Sequence, residues 1–171
     1  MAITKIQSES INLSDNYDFT GTVTGAGGVN TPAFLAFRSG ANQTISASTE
    51  TVVQFNSENF DSDGDYDTAT YRFTPQVAGK YFLFASVQFT GSMGNDSGYY
   101  SVIRKNGSNI SIDERVCYEA LSVSLSTTPH TIGTANGTTD YFDVVARFTS
   151  GTPAIRTGIA FTFFGGFKII E

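Results

Sequence analysis

Cysteine, tryptophan, histidine and charge are all scarce in this chain of 171 residues. The single cysteine, Cys117, excludes an internal disulfide framework, so the fold must depend on packing alone. An unpaired thiol also argues against a history in an oxidising secretory compartment. Charged residues make up 15% of the chain, well below the roughly 25% of a typical soluble domain.

The charge balance excludes two classes of partner. Lysine and arginine total 10 against 16 aspartates and glutamates, which gives a net charge of −6. Nucleic-acid affinity depends mainly on basic contacts to phosphates, and anionic lipid is held by basic clusters. We therefore expect no nucleic-acid partner and no membrane insertion.

Long apolar segments are also absent from the sequence. No stretch approaches the roughly 20 apolar residues of a transmembrane helix. The first ten residues lack the apolar core of a secretory signal peptide. The sequence therefore predicts a soluble protein without a Sec address.

The residues that are abundant favour strands and tight turns. The chain has 15 phenylalanines, 8 tyrosines and 17 glycines, with many threonines and serines. Aromatic residues and threonine suit half-buried strands, whereas glycine, asparagine and serine suit turns. No segment keeps a helical period of 3.6 residues. The composition predicts an all-β protein.

The chain divides into a short arm and one domain. Residues 1–30 contain few apolar side chains and end in a glycine-rich hinge. They are interpreted either as an extended arm that orders against another surface or as a disordered terminus. From residue 31 to residue 171, strand-like runs alternate with turn signals, as in a sandwich or barrel.

Two local patterns are the most informative. In the run Lys80–Thr90, alternate side chains such as Tyr81 and Leu83 form one face, and Phe82 and Phe84 begin the other. Aromatic residues on both faces require two coverings, for which a second sheet and another subunit are one solution. Asn106-Gly107 predicts a two-residue type I′ hairpin turn.

The middle of the sequence resembles the globular-head family of complement C1q, which shares its jelly roll with the tumour necrosis factor ligands. Six spaced positions of that family's pattern are matched by Phe55, Asp61, Tyr66, Phe73, Gly79 and Tyr81. Leu83 and Ala85 depart from it, since an aromatic residue is usual at both positions. The run Ile103–Gly107 and the closing Phe164-Gly165-Gly166-Phe167 also look like family segments.

The resemblance implies a ten-stranded jelly-roll β-sandwich that assembles as a homotrimer. Closed cyclic symmetry is also an economical way to cover aromatic surface between copies. The alternative is that Phe82 and Phe84 pack under a loop of their own chain. The residues assigned to the trimer core or to packing between the sheets are Tyr81, Phe82, Phe84, Phe163, Phe164 and Phe167.

The arm has a resemblance of its own. Residues 3–25 look like leaders on tail and fibre proteins of tailed phages. This resemblance implies a virion structural protein, located in a virion or in the extracellular space. Its arm would attach to other virion proteins, and its head would recognise a host-surface glycan or protein. The alternatives are a secreted or spore-surface structural protein with the same head, or a signalling ligand like the tumour necrosis factor relatives.

No catalytic pattern is present in the sequence. The only histidine, His130, lies in a turn-like segment without a Gly-x-Ser-x-Gly elbow, so it is interpreted as an exposed loop residue. Cys117 has no neighbours that mark a reactive thiolate and is interpreted as a small apolar residue on a strand. We therefore expect no enzyme activity.

One acidic loop predicts a metal site. Asp61, Asp63 and Asp65 surround a glycine and are followed by another aspartate. Clustered carboxylates repel one another unless they are solvated, protonated or bridged by a cation, and Ca²⁺ prefers several oxygen ligands. The loop is a candidate calcium site, and the alternative is a solvated hairpin loop.

A second loop is a candidate recognition tip. The glycine-rich segment Gly91–Tyr100 includes Asn95 and Asp96 and ends in Tyr99 and Tyr100. Tyrosines presented by adaptable polar loops are common contact residues. The alternative is a plain connection between two strands.

Overall fold

The computed structural model describes residues 30–169, with the backbone alone for residues 121–123. The predicted arm, residues 1–30, therefore lies outside the described residues except for Asn30. The described residues form strands and no helix, which confirms the all-β prediction. Nor does this part of the chain hold a helix long and apolar enough to cross a bilayer. The strands are β1 (Ala33–Phe37), β2 (Gln43–Thr44), β3 (Thr51–Val52), β4 (Ser57–Asp61), β5 (Tyr66–Asp67), β6 (Arg72–Phe73), β7 (Gly79–Met93), β8 (Ser97–Lys105), β9 (Ser108–Cys117), β10 (Leu121–Thr127), β11 (His130–Ala135), β12 (Phe142–Phe148), β13 (Gly151–Ile155) and β14 (Phe163–Lys168).

The strands form two antiparallel sheets. The eight-stranded sheet has the order β2-β13-β7-β14-β1-β4, and β10 and β11 also pair with β7. The six-stranded sheet has the order β5-β6-β12-β8-β9, and β3 also pairs with β12. Strand β7 has 15 residues. It is long enough to pair with β14 and β11 along its first half and with β13 and β10 along its second half.

The core lies between the two sheets, and β7 shows its alternation most clearly. Its inward side chains, from Tyr81 to Phe89, are at most 3% exposed. The outward side chains Phe82, Phe84, Gln88 and Thr90 are half-buried. This pattern confirms the two faces that were predicted from the sequence, and it leaves part of the outer face uncovered within one chain.

The Asn106-Gly107 turn joins β8 to β9 as predicted. Both residues have positive φ, 50° at Asn106 and 80° at Gly107, as a type I′ turn requires. The Asn106 side chain also anchors the turn, because its Oδ1 accepts the Tyr141 amide at 2.9 Å and its Nδ2 donates to Asp140 Oδ1 at 2.7 Å.

The two ends of the sandwich are formed by different parts of the chain. At the near end, the Lys168 amide donates to the Pro32 carbonyl at 3.0 Å, so the described chain enters and leaves at one place. The far end is formed by the turns at residues 94–96, 118–120 and 149–150. There the Ala120 amide donates to Asn95 Oδ1 at 2.6 Å, and the Gly94 amide donates to the Ser150 carbonyl at 3.2 Å.

Candidate functional site

An apolar surface covers the near-end half of the outer face of the eight-stranded sheet. Two cross-strand rows form it, and strand pairing places the residues of each row side by side. The first row is Ala33, Phe167, Phe82 and Ile132; the second is Phe60, Leu35, Gly165, Phe84 and His130. Because neighbouring strands lie about 4.8 Å apart, the second row spans about 19 Å. We call this surface, together with Phe37 and Phe163, the aromatic half.

The rings of the aromatic half contact one another. The Phe82 centroid lies 5.9 Å from that of Phe84 and 5.6 Å from that of Phe167. Phe84 in turn meets Phe163 edge to face at 6.2 Å, and the His130 ring lies 6.5 Å from Phe82. Phe60 and Ile132 remain 48% and 59% exposed. The rings therefore form one continuous patch that stays open to solvent within a single chain.

Gly165 allows two side chains to close over the middle of the patch. A Cβ atom at this position would lie 2.6 Å from Phe84 Cζ and 3.0 Å from Leu35 Cδ1. Such distances are far below van der Waals contact, so only glycine lets Phe84 and Leu35 lie against the backbone of β14. The closing segment Phe164-Gly165-Gly166-Phe167 thus shapes this surface.

The far-end half of the same face is polar. Gln88 Nε2 donates to Ser126 Oγ at 3.1 Å, and Arg156 Nη1 donates to Gln88 Oε1 at 2.9 Å. Ser124 Oγ lies 3.5 Å from Thr90 Oγ1. We call this surface the hydroxyl half. Its groups are hydrogen-bonded and open to water, so it has no need of a covering.

The structure divides the six predicted trimer or packing residues between two places. Phe82, Phe84, Phe163 and Phe167 lie on the aromatic half and are half-buried. Tyr81 and Phe164 are 0% exposed and pack between the sheets. Sequence reasoning missed the aliphatic and aromatic members contributed by β1, β4 and β11. Only the strand register, which pairs residues far apart in sequence, brings them into the rows; they are Leu35, Phe37, Phe60 and Ile132.

His130 and Cys117 are placed differently from each other. His130 is exposed as predicted but is the first residue of β11 rather than part of a loop. Its Nδ1 lies 3.3 Å from the Thr128 carbonyl, and its ring belongs to the aromatic half. Cys117 is 5% exposed at the end of β9, where its Sγ donates to the Glu119 carbonyl at 2.9 Å. This confirms its interpretation as a small buried strand residue.

The carboxylates of the acidic loop are used within the protein. Asp61 accepts the amides of Gly64 at 3.1 Å and Tyr66 at 2.8 Å, which closes the loop after β4. Asp65 turns inward and accepts the Gln76 amide at 3.0 Å, and its burial raises the pKa of that carboxyl. Among residues 30–169, no group of three or more acidic, histidine or cysteine side chains is arranged to hold a metal ion. The geometry does not favour the calcium prediction for Asp61, Asp63 and Asp65.

The predicted recognition loop is shorter than expected and its residues point apart. Strand β7 continues to Met93 and β8 begins at Ser97, so only residues 94–96 form the turn. Tyr99 is 5% exposed and packs edge to face on Phe89 at 5.5 Å. Tyr100 points to the other face of β8 and donates to Glu50 Oε1 at 2.9 Å. Alternation along β8 therefore separates the two tyrosines, so the structure does not bring Asn95, Asp96, Tyr99 and Tyr100 together at one tip.

The same two-sheet arrangement occurs in solved structures of very different sequence. The globular domain of zebrafish complement 1qA protein superposes with a TM-score of 0.59 at 20% identity, covering 81% of this chain and 98% of that one. Murine APRIL gives a TM-score of 0.61 at 12% identity, with 80% and 98% covered. The chain has the C1q/TNF jelly-roll fold.

Eiger TNF from S. frugiperda matches the C1q/TNF fold of this chain with a TM-score of 0.55 at 10% identity, covering 80% of this chain and 91% of that one. No protein-family model matches the sequence. No curated protein matches it either. The resemblance to the C1q pattern is thus confirmed at the level of the fold.

Proposed function

We propose that this chain is the non-enzymatic head of a homotrimeric virion structural protein that binds a host surface. The observation that carries the proposal is the aromatic half, an open apolar surface on a fold shared with C1q and tumour necrosis factor proteins. Contiguous exposed apolar patches of this kind mark interaction sites. A second and third copy of the chain, related by a threefold axis, are the partners that we propose to cover it.

Only one of the two halves of the sheet face, the aromatic half, favours assembly. Covering the phenylalanines of the aromatic half removes apolar surface from water, which favours association. The groups of the hydroxyl half already have hydrogen-bond partners, so dehydrating them brings little gain. We therefore place the threefold axis beside Phe82, Phe84 and Phe167.

This assembly gives the trimer two different poles. Ala33 stands in the first row of the aromatic half, so the first described residues of the three chains lie together at the near end. The far-end turns then face away from the attachment point. That polarity suits a protein whose arm, residues 1–30, joins other virion proteins while its head contacts a host glycan or protein. The resemblance of the arm to phage tail and fibre leaders supports the virion role.

The non-enzymatic assignment rests on the surroundings of the single histidine. His130 stands in a row of apolar side chains, and its Nδ1 lies beside the carbonyl of Thr128. A general base requires a proton donor on its substrate or nucleophile within hydrogen-bond reach. In the described range 30–169, no hydroxyl, thiol or carboxylate side chain hydrogen-bonds the His130 ring, so no nucleophile or orienting group is placed beside it.

The mass of the chain in solution tests the proposal directly. Light scattering on the full chain is expected to give three times the 18.3 kDa chain mass. A stable monomer at micromolar concentration would contradict the proposal. Recognition is tested by binding of the labelled trimer to candidate host cells before and after treatment with glycosidases or proteases. Unchanged background binding to every cell type would leave only a scaffolding role and contradict the recognition part.

A further inference from the structure

Both Asn-Gly pairs of the sequence lie in turns at the near end of the sandwich. They are Asn106-Gly107, between β8 and β9, and Asn136-Gly137, between β11 and β12. Each glycine has a positive φ, 80° at Gly107 and 73° at Gly137. A Cβ atom at Gly137 would also collide with the backbone amide of Ala78. The backbone therefore requires glycine after each asparagine.

An Asn-Gly pair is prone to spontaneous deamidation, since asparagine is thermally labile and glycine has no side chain to hinder the reaction. The glycine nitrogen attacks the side-chain carbon Cγ of the asparagine and closes a succinimide ring. The N–H proton of the glycine ends on the departing Nδ2, which leaves as ammonia. Water then opens the ring, and the product is aspartate or isoaspartate. Ring closure turns the asparagine side chain away from the staggered rotamers, so hydrogen bonds that fix this side chain slow the reaction.

The side chain of Asn106 is fixed against the neighbouring turn. Its Oδ1 accepts the Tyr141 amide at 2.9 Å, and its Nδ2 donates to Asp140 Oδ1 at 2.7 Å. Lys105 Nζ lies 2.8 Å from Asp140 Oδ2 and lowers the pKa of that carboxyl, so the acceptor is ionised at neutral pH. Cyclisation of Asn106 has to break both side-chain bonds, one of which ends on a charged acceptor.

The side chain of Asn136 is fixed within its own turn. Its Oδ1 accepts the amides of Thr138, Thr139 and Asp140, each at 3.0 Å. Its Nδ2 donates to Thr139 Oγ1 at 2.9 Å. The backbone amide of Asn136 donates to Asp140 Oδ2 at 2.9 Å. The carboxylate of Asp140 therefore binds both turns, with one oxygen on each asparagine.

We infer that Asn106 and Asn136 are latent sites of spontaneous deamidation, and that the folded chain protects both by fixing them around the carboxylate of Asp140. The protection belongs to the single folded chain, so it does not depend on the proposed trimer.

Deamidation would affect the two turns differently. At position 106 it would place a second carboxylate against Asp140 Oδ1, where the two like charges repel each other. At position 136 the new carboxylate would keep its three amide donors, which bind a charged acceptor more strongly than a neutral one. Deamidation of Asn106 therefore opens the contact between the two turns, whereas deamidation of Asn136 leaves its own turn closed.

Mass spectrometric peptide mapping of the full chain, incubated at neutral pH, measures the deamidation rate at each site. In the folded wild type both rates are expected to be at least about tenfold lower than in the same chain unfolded in urea. Asp140→Ala removes the charged acceptor and should accelerate the reaction of Asn106 about tenfold. Thr139→Val removes the hydroxyl that binds Asn136 Nδ2. It should accelerate the reaction of Asn136 about threefold and leave Asn106 unchanged.

A variant that destabilises the chain elsewhere is the matched control. Gly165→Ala lies in the aromatic half and leaves both turns intact, so each asparagine should react at the wild-type rate. The consequence of the reaction is tested by melting Asn106→Asp and Asn136→Asp side by side. The first should melt several degrees below the wild type, and the second should melt close to it.

Four outcomes would overturn the inference. They are equal rates in the folded and unfolded wild type, no acceleration of Asn106 in Asp140→Ala, equal acceleration in Gly165→Ala, and equal loss of melting temperature in the two aspartate variants. If Asp140→Ala does not fold, Thr139→Val decides instead. Acceleration at both asparagines, or at neither, would then contradict local protection by these hydrogen bonds.

Discussion

The aromatic half and the hydroxyl half lie on the same face of the same sheet, and both are built around β7. The inward residues of β7 are equally buried along both halves, from Tyr81 at 0% to Phe89 at 1% exposed. Outward, the strand changes from Phe82 and Phe84 to Gln88 and Thr90. Both halves therefore contribute equally buried inward side chains to the core of one folded chain.

The difference between the outward side chains of the two halves therefore concerns the surroundings of each half and not the folding of the chain. Rings that contact one another while remaining open to water gain from a covering, whereas hydroxyl and amide groups with hydrogen-bond partners do not. The boundary between the two halves falls between Phe84 and Gln88, which are four residues apart on β7. In the proposed trimer, the subunit interface and a hydrated surface therefore share one strand without any change in the core.

The largest effect is expected when the same charge is placed in each half, which tests whether only the aromatic half forms the proposed interface. Phe84→Asp buries an unpaired carboxylate among rings in the proposed interface, which costs several kcal/mol per copy. We expect its mass by light scattering to fall to that of a monomer. Thr90→Asp, six residues along the same face, is the matched control and should remain a trimer. Dissociation of both variants would show that the interface spans both halves.

Packing within the aromatic half gives the second-largest effect. Gly165→Ala places a methyl group 2.6 Å from Phe84 Cζ, and such overpacking costs about 1–3 kcal/mol in the free energy of unfolding. The control is Gly98→Ala, whose nearest neighbour would be Thr149 Cγ2 at 3.6 Å, an ordinary contact. Urea unfolding of both variants at one protein concentration measures the difference. Equal stability of the two variants would mean that Phe84 does not depend on the space above Gly165.

A smaller effect is expected at the near-end turn between β11 and β12. Lys105 and Asn106 hydrogen-bond the Asp140 carboxylate and lower its pKa. A lowered folded pKa stabilises the protein above the unfolded value near 3.9, and this contribution is lost as the pH falls through the folded pKa. Asp140→Asn should therefore be less stable than the wild type at pH 7, with a difference that disappears in acid. A difference in unfolding free energy that is constant from pH 7 to pH 3 would contradict this account.

The smallest effect concerns the loop beside β4, at the edge of the aromatic half. Because Asp61 and Asp65 already accept backbone amides, we expect the melting temperature to be the same with excess chelator and with millimolar calcium. Ligands that bind only the folded state raise the melting temperature. A rise with calcium that Asp61→Asn abolishes would restore the calcium site predicted from the sequence.

Local patterns carried the sequence predictions that the structure confirms. Alternation along residues 80–90 assigns each side chain of β7 to a face because the period of a strand is two residues. The Asn106-Gly107 turn is predicted by two residues that tolerate positive φ. Both conclusions need only neighbouring residues, and both agree with the structure.

The remaining features depend on contacts between residues that are distant in sequence. Phe60 joins Phe84 in one row only through the register of three strand pairs. The sequence pattern placed Tyr99 in a loop, because the polar residues at the end of β7 do not indicate that this strand continues to Met93. The Ala120 amide meets Asn95 Oδ1 across 25 residues of sequence. A single sequence contains no local signal for such pairings.

The hydrogen bond between the Lys168 amide and the Pro32 carbonyl brings the two ends of the described chain together. Since both ends of the described chain lie side by side, a sequence joined to either end leaves the domain on the same side. Recombination can therefore exchange the sequences joined to these ends without reshaping the opposite surface of the domain.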